Sequence, residues 1–159
     1  MTNPKTFSQK PADVTRKWHV IDATTAPIGR IATEAASLLL GKGKPSMTSH
    51  VDGGDYVIII NTDNLVATGN KLDNKMYYRH SGFPGGLKQA TLKEVMDKDS
   101  TQVFKKAIRG MLPANKLRDG RLARLKVYAG AEHNHAAQAP QSYIVTMAKS
   151  RNNVKKDDK

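Results

Sequence analysis

Cysteine is absent from this chain of 159 residues, and so is any long apolar segment. Without cysteine the chain cannot form a disulfide, a thiolate nucleophile, a cysteine-ligated zinc site or an iron–sulfur cluster. No stretch approaches the roughly 20 apolar residues that span a bilayer, and residues 1–17 lack the apolar centre of a signal peptide. From these absences we expect a soluble cytoplasmic protein.

Acidic residues are scarce as well. The chain has 14 Asp and Glu against 26 Lys and Arg, which gives a formal net charge of +12 and a pI near 10.0. A single domain with such a pI has the charge expected of a protein that binds polyanions. More than half of the net charge lies between Lys105 and Lys126, where eight basic residues accompany one acid, Asp119. Because such a block repels itself in water, it favours a polyanionic partner over the alternative of a merely basic soluble protein.

The apolar pattern in the first half of the chain predicts strands alternating with helices. Residues 18–22, WHVID, are a short apolar run that predicts a strand. Apolar residues recur at helical spacing over 28–39, with Pro27 suited to the start of a helix and Gly41 to its end. The continuous β-branched run at 57–60 is typical of a strand buried on both faces in a parallel sheet.

The second half continues the alternation. Thr91 and Glu94 have the spacing of a capping box, which predicts a helix of about two turns that restarts at Ser100 and stops before Pro113. The basic segment LRDGRLARL predicts a short helix, and LKVYAG a last strand. The chain is therefore of the α/β class, with a small parallel sheet between helices.

Residues 77–89, YYRHSGFPGGLKQ, combine three glycines with basic and aromatic side chains. Such a loop can bind phosphate, because glycines let backbone N–H groups approach closely and the cations supply charge. Tyrosine and histidine can also stack on unpaired bases. We expect one of Tyr77 and Tyr78 to be core, and the phosphate to belong either to a nucleotide substrate or to a nucleic acid.

Enzyme motifs match the chain poorly. The strand, turn and helix of WHVIDATTAPIGR resemble a nucleotide-binding unit, but the G-x-G-x-x-G pattern is absent, and GKGKPS at 41–46 does not satisfy the P-loop order. Two short clusters offer metal-ligand chemistry. Local hydrogen bonding is the favoured alternative for both of them. The clusters are His50, Asp52 and Asp55, and Glu132, His133 and His135.

Nucleic-acid binding uses more of these features at once, since Lys, Arg and glycine turns contact phosphates while aromatic rings stack on bases. No helix–turn–helix, zinc finger or basic zipper is visible. The basic residues lie in predicted loops, a short helix and tails, as expected for a protein that follows folded RNA by shape. RNA is therefore favoured over DNA.

Six motifs stand in a distinctive order: DATTAPIGRIAT, HVDGGDYVIIIN, VATGNK, YYRHSGFPGGLKQAT, AIRGMLP and LKVYAGAEHNHAAQAPQ. In this order they closely resemble the bacterial type of the large-subunit ribosomal protein L thirteen family. The resemblance runs from about Lys5 to Gln141, and YYRHSGFPGG, RGMLP and KVYAGAEHNHAAQ are highly specific jointly.

The resemblance implies a three-layer α/β/α sandwich around a four-stranded parallel sheet, and a non-catalytic role without cofactor, metal or small-molecule substrate. It implies binding to 23S rRNA early in assembly of the large ribosomal subunit, beside neighbouring ribosomal proteins and as one copy per ribosome. Matching motifs imply rRNA contacts at Lys42, Lys44, Lys71, Arg79, His80, Lys88, Arg109, Lys116, Arg118, Arg121, Arg124, Lys126, His133 and His135.

We expect three segments along the chain: an N-terminal arm at 1–17, a single α/β rRNA-binding domain at 18–141, and a polar, basic C-terminal extension at 142–159. The extension departs from the family pattern, which normally stops within a few residues of Gln141. It is either a solvated tail, which we favour, or a segment that threads into rRNA.

Overall fold

The computed structural model describes residues 7–145. Its strands and longer helices follow one another in this order: β1 (Trp18–Asp22), α1 (Ile28–Leu40), β2 (Tyr56–Ile60), α2 (Lys71–Asn74), β3 (Met76–His80), β4 (Leu87–Thr91), α3 (Leu92–Met111), α4 (Arg118–Ala123), β5 (Leu125–Val127) and β6 (Gln141–Ser142). Single 3-10 turns lie at Pro11–Asp13, Thr62–Asn64 and Ala136–Gln138.

Four of the strands form a parallel sheet in the order β5-β2-β1-β6, and β3 and β4 form a separate antiparallel hairpin. Val57, Ile58 and Ile59 of β2 have no exposed surface. Because successive strand residues point to opposite faces, their burial shows that both faces of the sheet are covered. The prediction of an α/β fold around a small parallel sheet is confirmed, and the arrangement is consistent with three α/β/α layers.

Helix α1 has the bounds that its apolar spacing predicts. Ile28, Ile31 and Leu39 are among its buried residues, and they belong to the main core. Gly41 ends the helix in the left-handed conformation with φ of 77°, and its N–H donates to the carbonyl of Leu38. Glycine suits this position because it lacks the Cβ that makes the left-handed region unfavourable.

Helix α3 is two helices joined at a kink. Thr91 and Glu94 form the predicted capping box, with hydrogen bonds in both directions. Asp99 has extended dihedral angles, and its carboxylate accepts hydrogen bonds from the backbone and hydroxyl of Thr101. The predicted restart at Ser100 is confirmed, because Asp99 acts as a new N-cap for the second half.

The strand predicted in LKVYAG is confirmed as β5, but it is not the last strand, because the sheet also contains β6, which the sequence did not predict. β6 pairs only two residues with β1, and the backbone N–H of Tyr143 continues the pairing by donating to Val20. Its sequence, QS, has no apolar run that could have predicted a strand. Backbone hydrogen bonds to β1 hold it in place instead. Val145 then enters the core.

The division into arm, domain and extension stays a prediction. The structure places Gln9, within the expected arm, in a buried position, and places residues 142–145 against the sheet and in the core. Residues 146–159 of the expected extension, and residues 1–6 of the arm, lie outside the described part of the chain. Over residues 7–145 no helix combines the length and apolar character needed to cross a bilayer.

Candidate nucleic-acid interface

Residues 77–89 belong mostly to a β-hairpin rather than to a loop. β3 pairs antiparallel with β4, and residues 81–86 make the turn between them. The expectation of a loop is therefore wrong for Arg79, His80 and 87–89, which are strand residues. Sequence reasoning missed β4 because its side chains are largely exposed, so it lacks the apolar alternation that marks a half-buried strand.

Tyr77 connects this hairpin to α3. Arg79 and Lys88 lie opposite each other on the hairpin and are exposed, and Tyr77 is next inward on the same face. The Tyr77 ring is half-buried against the core, as predicted for one of the two tyrosines, with Lys75 Nζ 5.4 Å and Lys106 Nζ 5.0 Å from its centroid. Both distances allow a cation–π attraction.

Five cations therefore form a row across the surface of the hairpin and α3. We call this row the basic surface, and it consists of Lys75, Arg79, Lys88, Lys106 and Arg109. Arg109 extends the surface because it follows Lys106 on the same face of α3. None of the five forms an ion pair within residues 7–145. Burial raises the pKa of Tyr77, so its phenol stays neutral and adds no negative charge.

Arg121 and Arg124, two other predicted contacts, face the interior. Their side chains are only 3% and 9% exposed, and both pair with Asp52, which accepts hydrogen bonds from Arg124 Nη1 at 2.5 Å and Nη2 at 2.7 Å. Arg124 Nη2 also donates to the carbonyl oxygen of Leu39 near the end of α1. This buried pairing joins α4 to the segment before β2 and the end of α1.

Lys44 pairs with a second carboxylate, that of Asp55, which directly precedes β2. Asp55 accepts hydrogen bonds from Lys44 Nζ and from the backbone N–H of Lys17, and His19 Nε2 lies 3.3 Å from it. Lys44 Nζ also donates to the carbonyls of Thr15 and Gly53. All three ammonium hydrogens of Lys44 thus have acceptors inside the protein.

The carboxylates of Asp52 and Asp55 should make the free energy of unfolding depend on pH. Burial alone would raise the pKa of Asp52, but the hydrogen bonds and charges of Arg124 and Arg121 outweigh it and lower the pKa. Burial is likewise outweighed at Asp55, where Lys44 and Lys17 lower the pKa. The resulting stability is fully present above the unfolded-state pKa near 3.8 and is lost as the pH falls from there through the lowered folded-state values.

We therefore expect the urea midpoint to fall steeply on acidification below about pH 4, and Asp52→Asn to flatten that dependence because the amide does not titrate. Urea titrations of both proteins between about pH 6 and pH 3 measure this. Parallel pH profiles for the two proteins would contradict a contribution from Asp52.

The remaining predicted contacts differ in accessibility. Lys42 and Lys116 are exposed, as is Lys71, whose Nζ donates to Thr68 Oγ1. Arg118 donates to the backbone carbonyls of Pro113 and Leu112, which supports the turn after α3. The other three are half-buried: Lys126 in β5, and His133 and His135 beside Tyr128, with His135 also 5.0 Å from the Trp18 ring. Direct rRNA contact by the predicted residues stays a prediction.

The two clusters considered as metal ligands have other contacts. Asp52 and Asp55 accept hydrogen bonds from basic groups, while His133 and His135 pack beside aromatic rings. Over residues 7–145 no three His, Asp or Glu side chains come together in a group that could hold a metal ion.

Sequence reasoning missed two members of the basic surface, Lys75 and Lys106, as individual site residues. A signal was present for Lys106, because Gln102, Lys106 and Arg109 have the spacing of one helical face. No local pattern indicated Lys75, whose position depends on packing against Tyr77. The sequence analysis also did not single out Phe83, which is 74% exposed at the hairpin turn.

Comparison with known proteins agrees with the motif order. A model of the family described as Ribosomal protein L13 matches residues 16–134. The chain is 54% identical over 142 residues to the large ribosomal subunit protein uL13 of Kocuria rhizophila, covering 89% of this chain and 97% of that protein. It is 57% identical over 135 residues to the uL13 of Mycobacteroides abscessus, covering 85% and 92% of the two chains.

The uL13 of Clostridioides difficile is 51% identical over 137 residues, with 86% and 96% covered. The family consists of structural ribosomal proteins and is not known to be enzymatic, so the prediction of a non-enzymatic protein is confirmed. Identity at this level over nearly the whole length of these relatives confirms the resemblance in the motifs. The chain belongs to the ribosomal protein L13 family.

Proposed function

We propose that this protein is a structural constituent of the large ribosomal subunit that binds 23S rRNA through its basic surface and supports early assembly of the subunit. It occupies the ribosome as one copy, in contact with neighbouring ribosomal proteins, in the cytoplasm. Its contribution is to bind and position folded RNA, with no catalytic step.

The observation that carries this proposal is the row of cations across the hairpin and α3, none of which has an ion-pair partner among residues 7–145. Three basic residues elsewhere in the described chain, Lys44, Arg121 and Arg124, have carboxylate partners, which the five cations of the basic surface lack. Arg79 and Lys88 are instead placed directly opposite each other, an arrangement that like charges destabilise. A polyanion removes that repulsion, because each phosphate neutralises cations and releases its own counterions.

Family membership supports the choice of polyanion. The relatives are named large ribosomal subunit proteins, and the match covers the hairpin and α3. A nucleotide-binding enzyme would need an enclosed phosphate site, whereas the five cations are spread over an open surface. A long RNA can contact all of them at once.

The direct test is binding of the purified protein to 23S rRNA at several salt concentrations. Contact with 6 to 10 phosphates would weaken binding by about 10³- to 10⁵-fold between about 50 and 200 mM salt. Arg79→Ala with Lys88→Ala should weaken binding and reduce the salt slope by about 1 for each cation removed. ATP and an unrelated structured RNA serve as competitors.

The matched control is Lys10→Ala with Lys17→Ala, which also removes two exposed charges. Lys17 lies at the amino ends of the parallel strands, just before β1. The chain leaves for the hairpin from the opposite, carboxyl end of β2. The control should leave the slope nearly unchanged. Displacement by ATP, equal competition by the unrelated RNA, or equal slopes for the two double variants would each overturn the proposal.

A further inference from the structure

The outer part of the hairpin, residues 78–89, has exposed side chains on both of its faces. Tyr78 is 65% exposed and Leu87 is 59% exposed, although both lie in paired strands. A two-stranded ribbon in water is marginally stable by itself, because it has no apolar face to bury. Large apolar side chains grouped on such a ribbon therefore indicate a contact with a partner beyond the described residues 7–145.

The two faces of this outer hairpin differ in chemistry. Tyr78, His80 and Leu87 share one face, because Tyr78 and His80 are two residues apart and His80 pairs with Leu87. Arg79 and Lys88 occupy the opposite face. One face therefore offers ring and apolar surface, and the other offers two positive charges.

The turn presents a further aromatic ring at the tip. Phe83 is 74% exposed and lies between Gly82 and Gly85, whose φ values of 93° and 71° are favourable for glycine. Hydrogen bonds from Ser81 N to Gly86 O and from Gly86 N to Phe83 O close the turn. The backbone that carries the exposed Phe83 ring is thus fixed by hydrogen bonds, which lowers the entropy lost when the turn binds a partner.

We infer that the outer hairpin inserts into folded rRNA, with Phe83 and the Tyr78 face stacked on unpaired bases while Arg79 and Lys88 neutralise phosphates on the other side. This inference rests on the proposed function and specifies the ligand of that surface as unstacked nucleotides. Sequence-tolerant stacking on aromatic rings beside a basic groove is the usual means of binding single-stranded RNA. The positive face beside the aromatic face favours RNA over an apolar protein groove, which would leave both charges without partners.

The test compares Phe83→Ala with Phe7→Ala, which removes an aromatic ring of similar exposure, 68%, from the N-terminal part of the chain. Affinity for protein-free 23S rRNA should fall about 5- to 150-fold for Phe83→Ala, the range for losing one stacked base, and stay unchanged for Phe7→Ala. The salt slope should stay the same, because stacking releases no counterions. Circular dichroism confirms that both variants are folded.

Phe83→Leu and Phe83→Trp distinguish stacking from general apolar contact. Tryptophan should retain affinity and leucine should lose it, since leucine has no π-face. Equal affinity of Phe83→Ala and Phe7→Ala for protein-free rRNA would overturn the inference, and a defect only in the presence of other ribosomal proteins would assign Phe83 to a protein neighbour. Failure of the proposed function is distinct, because the wild-type protein would then show no specific, salt-dependent rRNA binding.

Discussion

Replacing Asp52 with alanine should lower the free energy of unfolding by about 3 kcal/mol, because it leaves two buried guanidinium groups without their counter-charge. Arg121 and Arg124 are only 3% and 9% exposed at their side chains. The low end of the range for a broken buried pair is appropriate, since Asp52 itself keeps 18% exposure and water can partly replace it. Urea unfolding at neutral pH measures the effect.

Asp97→Ala is the matched control, because Asp97 is an exposed carboxylate on α3. It should change the free energy of unfolding by no more than about 0.5 kcal/mol. Adding Arg124→Met to Asp52→Ala should cost less than the sum of the single changes, because the double variant removes the unpaired charge as well as its partner. Strict additivity would contradict the coupling between these two residues.

Gly54→Ala should destabilise the protein by about 3 kcal/mol or more, because a Cβ at this position would lie 1.8 Å from the carbonyl oxygen of Leu39. The clash is with backbone, so no side-chain rotation relieves it. The neighbouring N–H of Asp55 donates to Leu38, which fixes the two segments close together. Thermal unfolding should show a melting temperature lower by about 6–12 °C.

Gly43→Ala provides the control for this substitution. Gly43 lies in the same loop region after α1, its φ is not in the left-handed range, and a Cβ there meets no atom within 4 Å. The change should be neutral or slightly stabilising, because alanine restricts the unfolded chain more than glycine does. Equal melting temperatures for Gly54→Ala and the unmodified protein would show that the end of α1 can move away at little cost.

Several of the elements predicted correctly from the sequence carry a strong local signal. α1, β2 and the capped start of α3 each carry their signal locally, in periodicity or in a cap. β4 and β6 carry no such signal, since β4 is largely exposed and β6 is held by backbone hydrogen bonds. Pairing partners distant in sequence decide these strands, and a local pattern contains no information about the partner.

The predicted site residues likewise include some whose surface position the sequence indicated and some whose burial it did not. Net charge and the hairpin sequence identified Arg79, His80 and Lys88 as exposed candidates, and the structure places all three at the surface. No local pattern separates them from Arg121 and Arg124, which are equally basic but are buried in ion pairs with Asp52. The carboxylate partner of these arginines lies 69 or 72 residues away along the chain, so the residues next to each arginine do not indicate that it is paired.

By itself, then, the sequence determined the α/β class, the main helices, the strongly basic composition and the family, because composition, periodicity and motif order can be read without knowing how the chain folds. Only the tertiary structure decided which arginines pair with carboxylates in the interior, how Tyr77 connects the hairpin to α3, and that Phe83 is exposed at a closed turn. The physical reason is that desolvation and pairing depend on distances between segments remote in sequence, and folding alone sets those distances.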